Sequence, residues 1–262
     1  MRVTGERLKG LMAPVIVALI FFVAWEWAVR ANDIPPYILP GPVLILQTLV
    51  TDGPSLLGSL LVTLKTTIAA LAAATILGLA IAVALSQSRL VERSFYPYLV
   101  ALQVTPVVSI APLIIIWVKD DTFLALLICA WIVAFFPVVA NTTLGLASTD
   151  RDLTDLFRLY GATRRQRLVH LQLPTALPYF LAGVRISGGL ALIGTVVAEF
   201  VASSGGSETG LATRILELGF RLQIAKMFVA LLLLSLTGII IHALLGLLAR
   251  YLLRDWHESA QG

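Results

Sequence analysis

A single cysteine, Cys129, lies in an apolar run, so the chain has no disulfide framework and no cysteine zinc site. Its three histidines, at 170, 242 and 257, are too far apart for a metal-ligand spacing. Charge is also scarce. Only 13% of the 262 residues are Asp, Glu, Lys or Arg, about half the share soluble domains carry. So few charges cannot cover a water-facing surface, which excludes a soluble enzyme. The 58% of hydrophobic residues excludes a disordered chain. No phosphate loop is present. The nearest mimic, Gly205-Gly206-Ser207-Glu208-Thr209-Gly210, has Leu211 where lysine is needed and reads as a turn outside the membrane. Asn141-Thr142-Thr143 has the form of a glycosylation sequon but is buried in an apolar run. No paired catalytic groups and no cofactor motif stand out.

What the chain does have is uncharged length. Six stretches are long enough to span a bilayer at roughly 20 residues each: about 11–29, 60–85, 97–118, 123–147, 178–202 and 227–249. The expected fold is all-α, a polytopic membrane protein with a single domain over 1–262. The first stretch is too long and lacks the small-residue site of a cleaved signal peptide. Trp25 and Trp27 at its end fit an interfacial aromatic belt around Glu26. Twelve of the 19 Lys and Arg residues, among them Arg2, Arg7, Lys9, Arg89, Arg93, Arg250 and Arg254, fall on the side of the termini. Six fall on the other side, including Lys65 at its interface. The bias puts both termini in the cytoplasm. The net charge of +4 is therefore a topology signal; no basic face with interleaved aromatics suggests nucleic acid.

Two connections are long. Residues 30–59 are rich in proline and read as an outer lid-like or interfacial segment. Residues 148–177 carry five arginines and lie inside. In the inner loop Leu153, Leu156, Phe157 and Tyr160 fall on one helical face, after Asp150, Asp152 and Asp155, whose acids suit a helix start. Gly161 stands where a left-handed cap belongs. Thr163-Arg164-Arg165-Gln166 has capping-box spacing and opens a second helix, which Pro174 and Pro178 are expected to end. Arg164, Arg165 and Arg167 sit in first turns, where the dipole disfavours cations. They suit either lipid headgroups or an acidic partner. The apolar stripe suits either the chain's own spans or a partner's groove.

Gly161, nine residues, then Leu171-Gln172-Leu173-Pro174 resembles the EAA loop of bacterial ABC importer permeases, E-A-A-x3-G-x9-I-x-L-P. The family's Glu aligns with Asp155, its alanines with Leu156 and Phe157, and its Ile with Leu171. The acid is shortened and both alanines are replaced by large residues. Ile34-Pro35-Pro36-Tyr37-Ile38-Leu39-Pro40-Gly41-Pro42, Thr105-Pro106, Ala111-Pro112-Leu113 with Trp117, Leu173-Pro174-x3-Pro178, Gly183-Val184-Arg185, Ala198-Glu199 and Gly210-Leu211 resemble the nitrate/sulfonate/taurine-type subgroup in order and spacing. The resemblance implies a permease dimer, expected to be a homodimer, in a bacterial inner membrane. Two cytoplasmic ABC ATPase subunits would bind the loops. A periplasmic or lipid-tethered solute-binding protein would deliver the solute, a small anion such as a sulfonate, taurine or nitrate, or else a thiamine-precursor-like pyrimidine. A secondary transporter or channel is the rival class, but it would usually show an internal repeat or an ionisable relay.

Candidate pathway or gate residues come from polar groups inside spans. Pro106 and Pro112 break the hydrogen-bond ladder of the third span, which lipid tolerates where backbone is covered or lines a cavity. This nominates Gln103, Thr105 and Ser109. Arg185 and Glu199 are intramembrane charges, functional by default. Fourteen residues apart, or about 21 Å, they cannot pair within a straight helix. Glu199 suits gate structure or helix packing as well as solute contact, and Arg185 is placed to snorkel inward. His242 reads as a hydrogen-bonded core residue. Gly194, Ala198 and Ala202 recur every four residues and permit close helix contact, within the chain or across a dimer axis.

Overall fold

The computed structural model describes residues 2–119, 121–202 and 209–254, with residues 2–13 described as backbone only. The Gly205-Gly206-Ser207-Glu208 turn and the side chains of Arg2, Arg7 and Lys9 lie outside the described residues. Every described element is helical: α1 (Arg2–Ala31), α2 (Pro42–Ser86), α3 (Arg89–Val104), α4 (Val107–Trp117), α5 (Thr122–Ala147), α6 (Arg151–Leu159), α7 (Arg164–Arg167), a π turn over Leu168–Gln172, α8 (Leu173–Ala202), α9 (Leu211–Phe220) and α10 (Ile224–Leu253). A helix satisfies its own backbone, which is what an apolar sequence needs in lipid. Among the described residues five helices are long and apolar enough to cross a membrane, or six if the bent pair α3–α4 counts as one span.

Three expectations need correction. The outer segment 30–59 is not mostly a loop. After a turn, Pro42 occupies the first turn of α2, where its missing N–H costs nothing, and the helix runs on through Pro54. Near Pro54 the hydroxyls of Thr51 and Ser55 donate to Gln47 O and Asp52 O of their own helix. At 45 residues, about 67 Å, α2 extends well past a bilayer core of about 30 Å. The third span, expected as one piece over 97–118, is two helices bent by 96°. The break is at Thr105, which its following proline pushes into extended backbone; Pro112 is absorbed within α4. Pro174 and Pro178 do not end the second loop helix. The wide π turn, closed by Leu173 N–H donating to Leu168 O, sits just before Pro174 and eases its ring past the preceding turn, so α8 continues.

The centre is a three-helix stack of α2, α5 and α8. Small residues let backbones approach: an added Cβ at Gly194 would stand 2.9 Å from Ala130 Cα, and one at Gly183 would stand 2.7 Å from Pro137 O. Ala198 packs with Cys129 and Ala125 in a neighbouring cluster. The small-residue stripe of α8 thus serves α5 of the same chain. Several buried hydroxyls bond their own helices, as Thr67 does on Thr63 O at 2.8 Å and Thr195 on Ala191 O at 2.9 Å. The inner loop and the C-terminal ends of α2 and α5 share one end of the molecule, where Ala82, Leu146 and Ala176 cluster. α9 occupies the opposite end, against α2 and α10, with Trp25 of α1 packed beside it.

Candidate functional site

The loop between α5 and α8 is built as its sequence implies. Asp150 caps α6 by accepting from Asp152 N–H at 2.8 Å. Gly161 has φ of +71°, the left-handed region that a Cβ makes costly. The capping box is complete: Gln166 N–H donates to Thr163 Oγ1, and Thr163 N–H donates to Gln166 Oε1 at 2.8 Å. None of the residues of α6 is buried. Leu153 and Leu156 are 46% and 45% exposed and Tyr160 is 84% exposed, with Phe157 half-buried, so the apolar stripe turns away from the chain's own spans. Leu156, Phe157, Tyr160, Gly161, Gln166 and His170 line an open cleft of about 600 Å³. Asp155 pairs with Arg158 at 3.2 Å on the surface, and Arg164 and Arg165 are exposed. Leu171, by contrast, is buried, Pro174 is half-buried, and Leu173 packs against the Ala82 cluster, so these three anchor the loop to the body.

Glu199 of α8 is 1% exposed and is held from two other elements. Thr63 Oγ1 of α2 donates to its Oε1 at 2.8 Å, and Ala212 N–H of α9 donates to its Oε2 at 2.9 Å. Leu211 N–H donates to the same Thr63 hydroxyl at 2.8 Å. A carboxylate therefore caps α9 from another helix, where the dipole favours it. The helix's own N-cap, Gly210, leaves the room: a Cβ there would fall on the carboxylate. The pattern recurs at α2. Glu26, paired with Arg30 at 2.6 Å, accepts from Val43 N–H at 3.1 Å, and Gly41 is the N-cap. Sequence reasoning missed both caps and α9 itself. The available signal was a glycine one residue before each helix.

The break between α3 and α4 opens a cleft of about 360 Å³ whose wall includes Gln103, Thr105, Pro137 of α5 and Ile193, Gly194 and Val197 of α8. Two of the three nominated polar residues meet there; Ser109 is exposed and outside that lining. Arg185 is far from Glu199, as expected. Its Nη2 lies 2.8 Å from Nε2 of His242 on α10. His242 is exposed, so it is hydrogen-bonded but is not a core residue. Lys65 stacks over the Phe123 ring at 4.8 Å, at the end of the molecule opposite the loop. Among the described residues no group of three or more His, Cys, Asp or Glu could hold a metal.

Residues 74–254 match the model of a family described as the inner membrane component of binding-protein-dependent transport systems. The chain is 34% identical over 202 residues to the formylaminopyrimidine transport permease protein of Halalkalibacterium halodurans, which covers 77% of this chain and 80% of that one. It is 33% identical over 259 residues to the riboflavin transport system permease protein of Chloroflexus aurantiacus, covering 95% and 91%. Among solved structures, the crystal structure of an amino acid ABC transporter with histidines superposes with a TM-score of 0.62 at 19% identity, over 78% of this chain and 97% of that one. That likeness concerns the fold.

Proposed function

We propose that this chain, which belongs to the family of binding-protein-dependent transport system inner membrane components and is an ABC importer permease, passes a small polar solute inward through a pathway formed with a second copy of itself. Family membership implies an ATPase partner and a solute-binding protein. In this reading the membrane is the bacterial inner membrane, both termini are cytoplasmic, and two ATPase subunits bind the loops of two permease copies.

One observation carries the reading. α6 presents Leu153, Leu156 and Tyr160 to the outside while Leu171, Leu173 and Pro174 fix the far end of the loop to the membrane body. An exposed amphipathic helix on a rigid mount is a lever. Its apolar face fits a groove of a soluble partner, and a displacement of that partner passes through the Gly161 bend into α8. Asp155, Leu156, Phe157, Gly161, Arg164 and Arg165 are the contact and hinge residues in this account. ATP binding and hydrolysis belong to the partner; the chain supplies the loop and the pathway.

Two readings of the solute stand on separate observations. A small oxyanion such as a sulfonate or nitrate is favoured by Arg185, a guanidinium exposed inside a span. A pyrimidine is favoured by the relative described as a formylaminopyrimidine permease. The test of the common part is co-purification of the co-expressed ATPase subunit with tagged permease. Leu156→Asp, which puts a charge on the exposed stripe, should release the ATPase without loss of inserted permease. Full retention of the ATPase by that variant would refute the docking surface.

A further inference from the structure

We propose that Arg185, seated on His242 and Gly246 of α10, is an anion-selecting station in the translocation pathway, and that the exposed face of α8 lines that pathway. The inference rests on the permease reading above and adds a chemical class of solute and a site to it.

The geometry is a built cradle. His242 and Gly246 are one turn apart on α10. The guanidinium reaches across from α8, donates through Nη2 to His242 Nε2 at 2.8 Å, and lies where a Cβ on Gly246 would be 3.4 Å from Arg185 Cζ. A guanidinium can only donate, so Nε2 is the acceptor of this bond. The bond does not cancel the charge of the guanidinium. Among the described residues no carboxylate lies within 4 Å of Arg185. One donor edge is fixed by the histidine, and the remaining N–H groups stay available for a planar or tetrahedral oxyanion.

Depth and face argue for water rather than lipid. Counted from the span bounds read in the sequence, Arg185 and His242 each lie seven residues from the inner end, about 10 Å along the helix. That is about a third of the way into a hydrocarbon core of about 30 Å. Charged side chains at such depth face a bundle interior or a water-filled cavity. Yet both residues are exposed on the isolated chain. Ala182, Ile186 and Ile193 are exposed beside them, and Gly189 has open space where its Cβ would be. The strip continues round α8 to the Gln103–Thr105 cleft, which Ile193 also lines. A charge, an amide and a cleft on one face fit an aqueous path closed by the second copy.

The experiment reads the electrostatics without needing the solute. Gly189→Cys places a thiol one turn from Arg185, where an added Cβ meets nothing within 4 Å. The permease–ATPase complex in nanodiscs is treated with sulfonatoethyl and trimethylammonioethyl methanethiosulfonates, each rate being divided by its rate on free cysteine. The wild-type complex, with Cys129 buried, is the blank. The anionic reagent should win by about tenfold, and Arg185→Gln should bring the ratio to about one. His242→Leu should lower the ratio and His242→Gln, which keeps an acceptor, should restore it; these two variants decide the matter if Arg185→Gln does not assemble. Phosphatidylcholine discs with and without phosphatidylglycerol should give the same ratio. No reaction with either reagent, or a ratio indifferent to Arg185 and His242, overturns the proposal. So does a ratio that collapses with phosphatidylglycerol, which would make the anion a lipid phosphate. If any of these occurs while the ATPase remains bound, the permease reading stands and only this site falls.

Discussion

Thr63 and Glu199, 136 residues apart in sequence, share a buried hydrogen bond of 2.8 Å, and together they take up the first two N–H groups of α9. One carboxylate and one hydroxyl thereby fasten α2, α8 and a helix at the end of the molecule opposite the loop. Among the described residues this is the polar joint on which the three elements meet.

The joint predicts a specific non-additivity. Glu199→Ala leaves the Ala212 N–H without its acceptor, at about 1–3 kcal/mol, while the Thr63 hydroxyl keeps Ser59 O at 3.3 Å. Gly210→Ala alone should also destabilise, because its Cβ falls on the carboxylate. In the Glu199→Ala background that collision is gone, so Gly210→Ala should become nearly silent. Thermal unfolding of the four proteins in one detergent checks this. Equal effects of Gly210→Ala in both backgrounds would mean that the carboxylate is not what the glycine accommodates.

A second prediction separates packing from exposure on α8. Gly194→Val drives a side chain into Ala130 of α5, whereas Gly189→Val points into open space. The first should cost several kcal/mol, at the level of core overpacking or above, and sharply lower the yield of folded permease. The second should leave yield and thermal midpoint nearly unchanged. Similar losses for both would contradict the placement of the two faces of α8.

The orientation is open to chemistry. Arg221, after α9, and Arg165, in α7, are both exposed and lie at opposite ends of the molecule. Arg221→Cys should react with an impermeant thiol reagent applied to intact cells. Arg165→Cys should react only in inside-out vesicles. The opposite pattern would invert the topology read from the arginine count.

Much of this architecture is legible in the residues, and the failures have a common cause. Uncharged runs locate the spans because lipid forbids unpaired backbone, and Asp150, Gly161 and the Thr163–Gln166 box mark the loop because capping is a short-range matter. Prolines misled in both directions. Pro54, Pro174 and Pro178 sit inside continuous helix, with a π turn just before Pro174, while Pro106 stands at a full 96° break. What a proline does depends on what surrounds it. The candidate sites divide the same way. The loop's apolar face was evident from periodicity but the way it points was not, and the Glu199 cap and the Arg185–His242 pair join elements many residues apart and need the packed fold to appear.

The account turns on whether α6 and its Gly161 bend couple this chain to an ATPase, and one comparison addresses that directly. An added Cβ at Gly161 meets no neighbour within 4 Å, so its cost comes from φ of +71° alone, about 1–2 kcal/mol and more for a β-branched residue. Asparagine tolerates that region; valine does not. Gly161→Asn and Gly161→Val should therefore insert at equal levels but differ in ATP hydrolysis by the purified permease–ATPase complex in vesicles. The asparagine form should stay near wild type, and the valine form should lose most of its bound ATPase and the accompanying hydrolysis. If the valine form retains the ATPase and hydrolyses ATP at the wild-type rate, the loop is a plain connection and the coupling account is wrong.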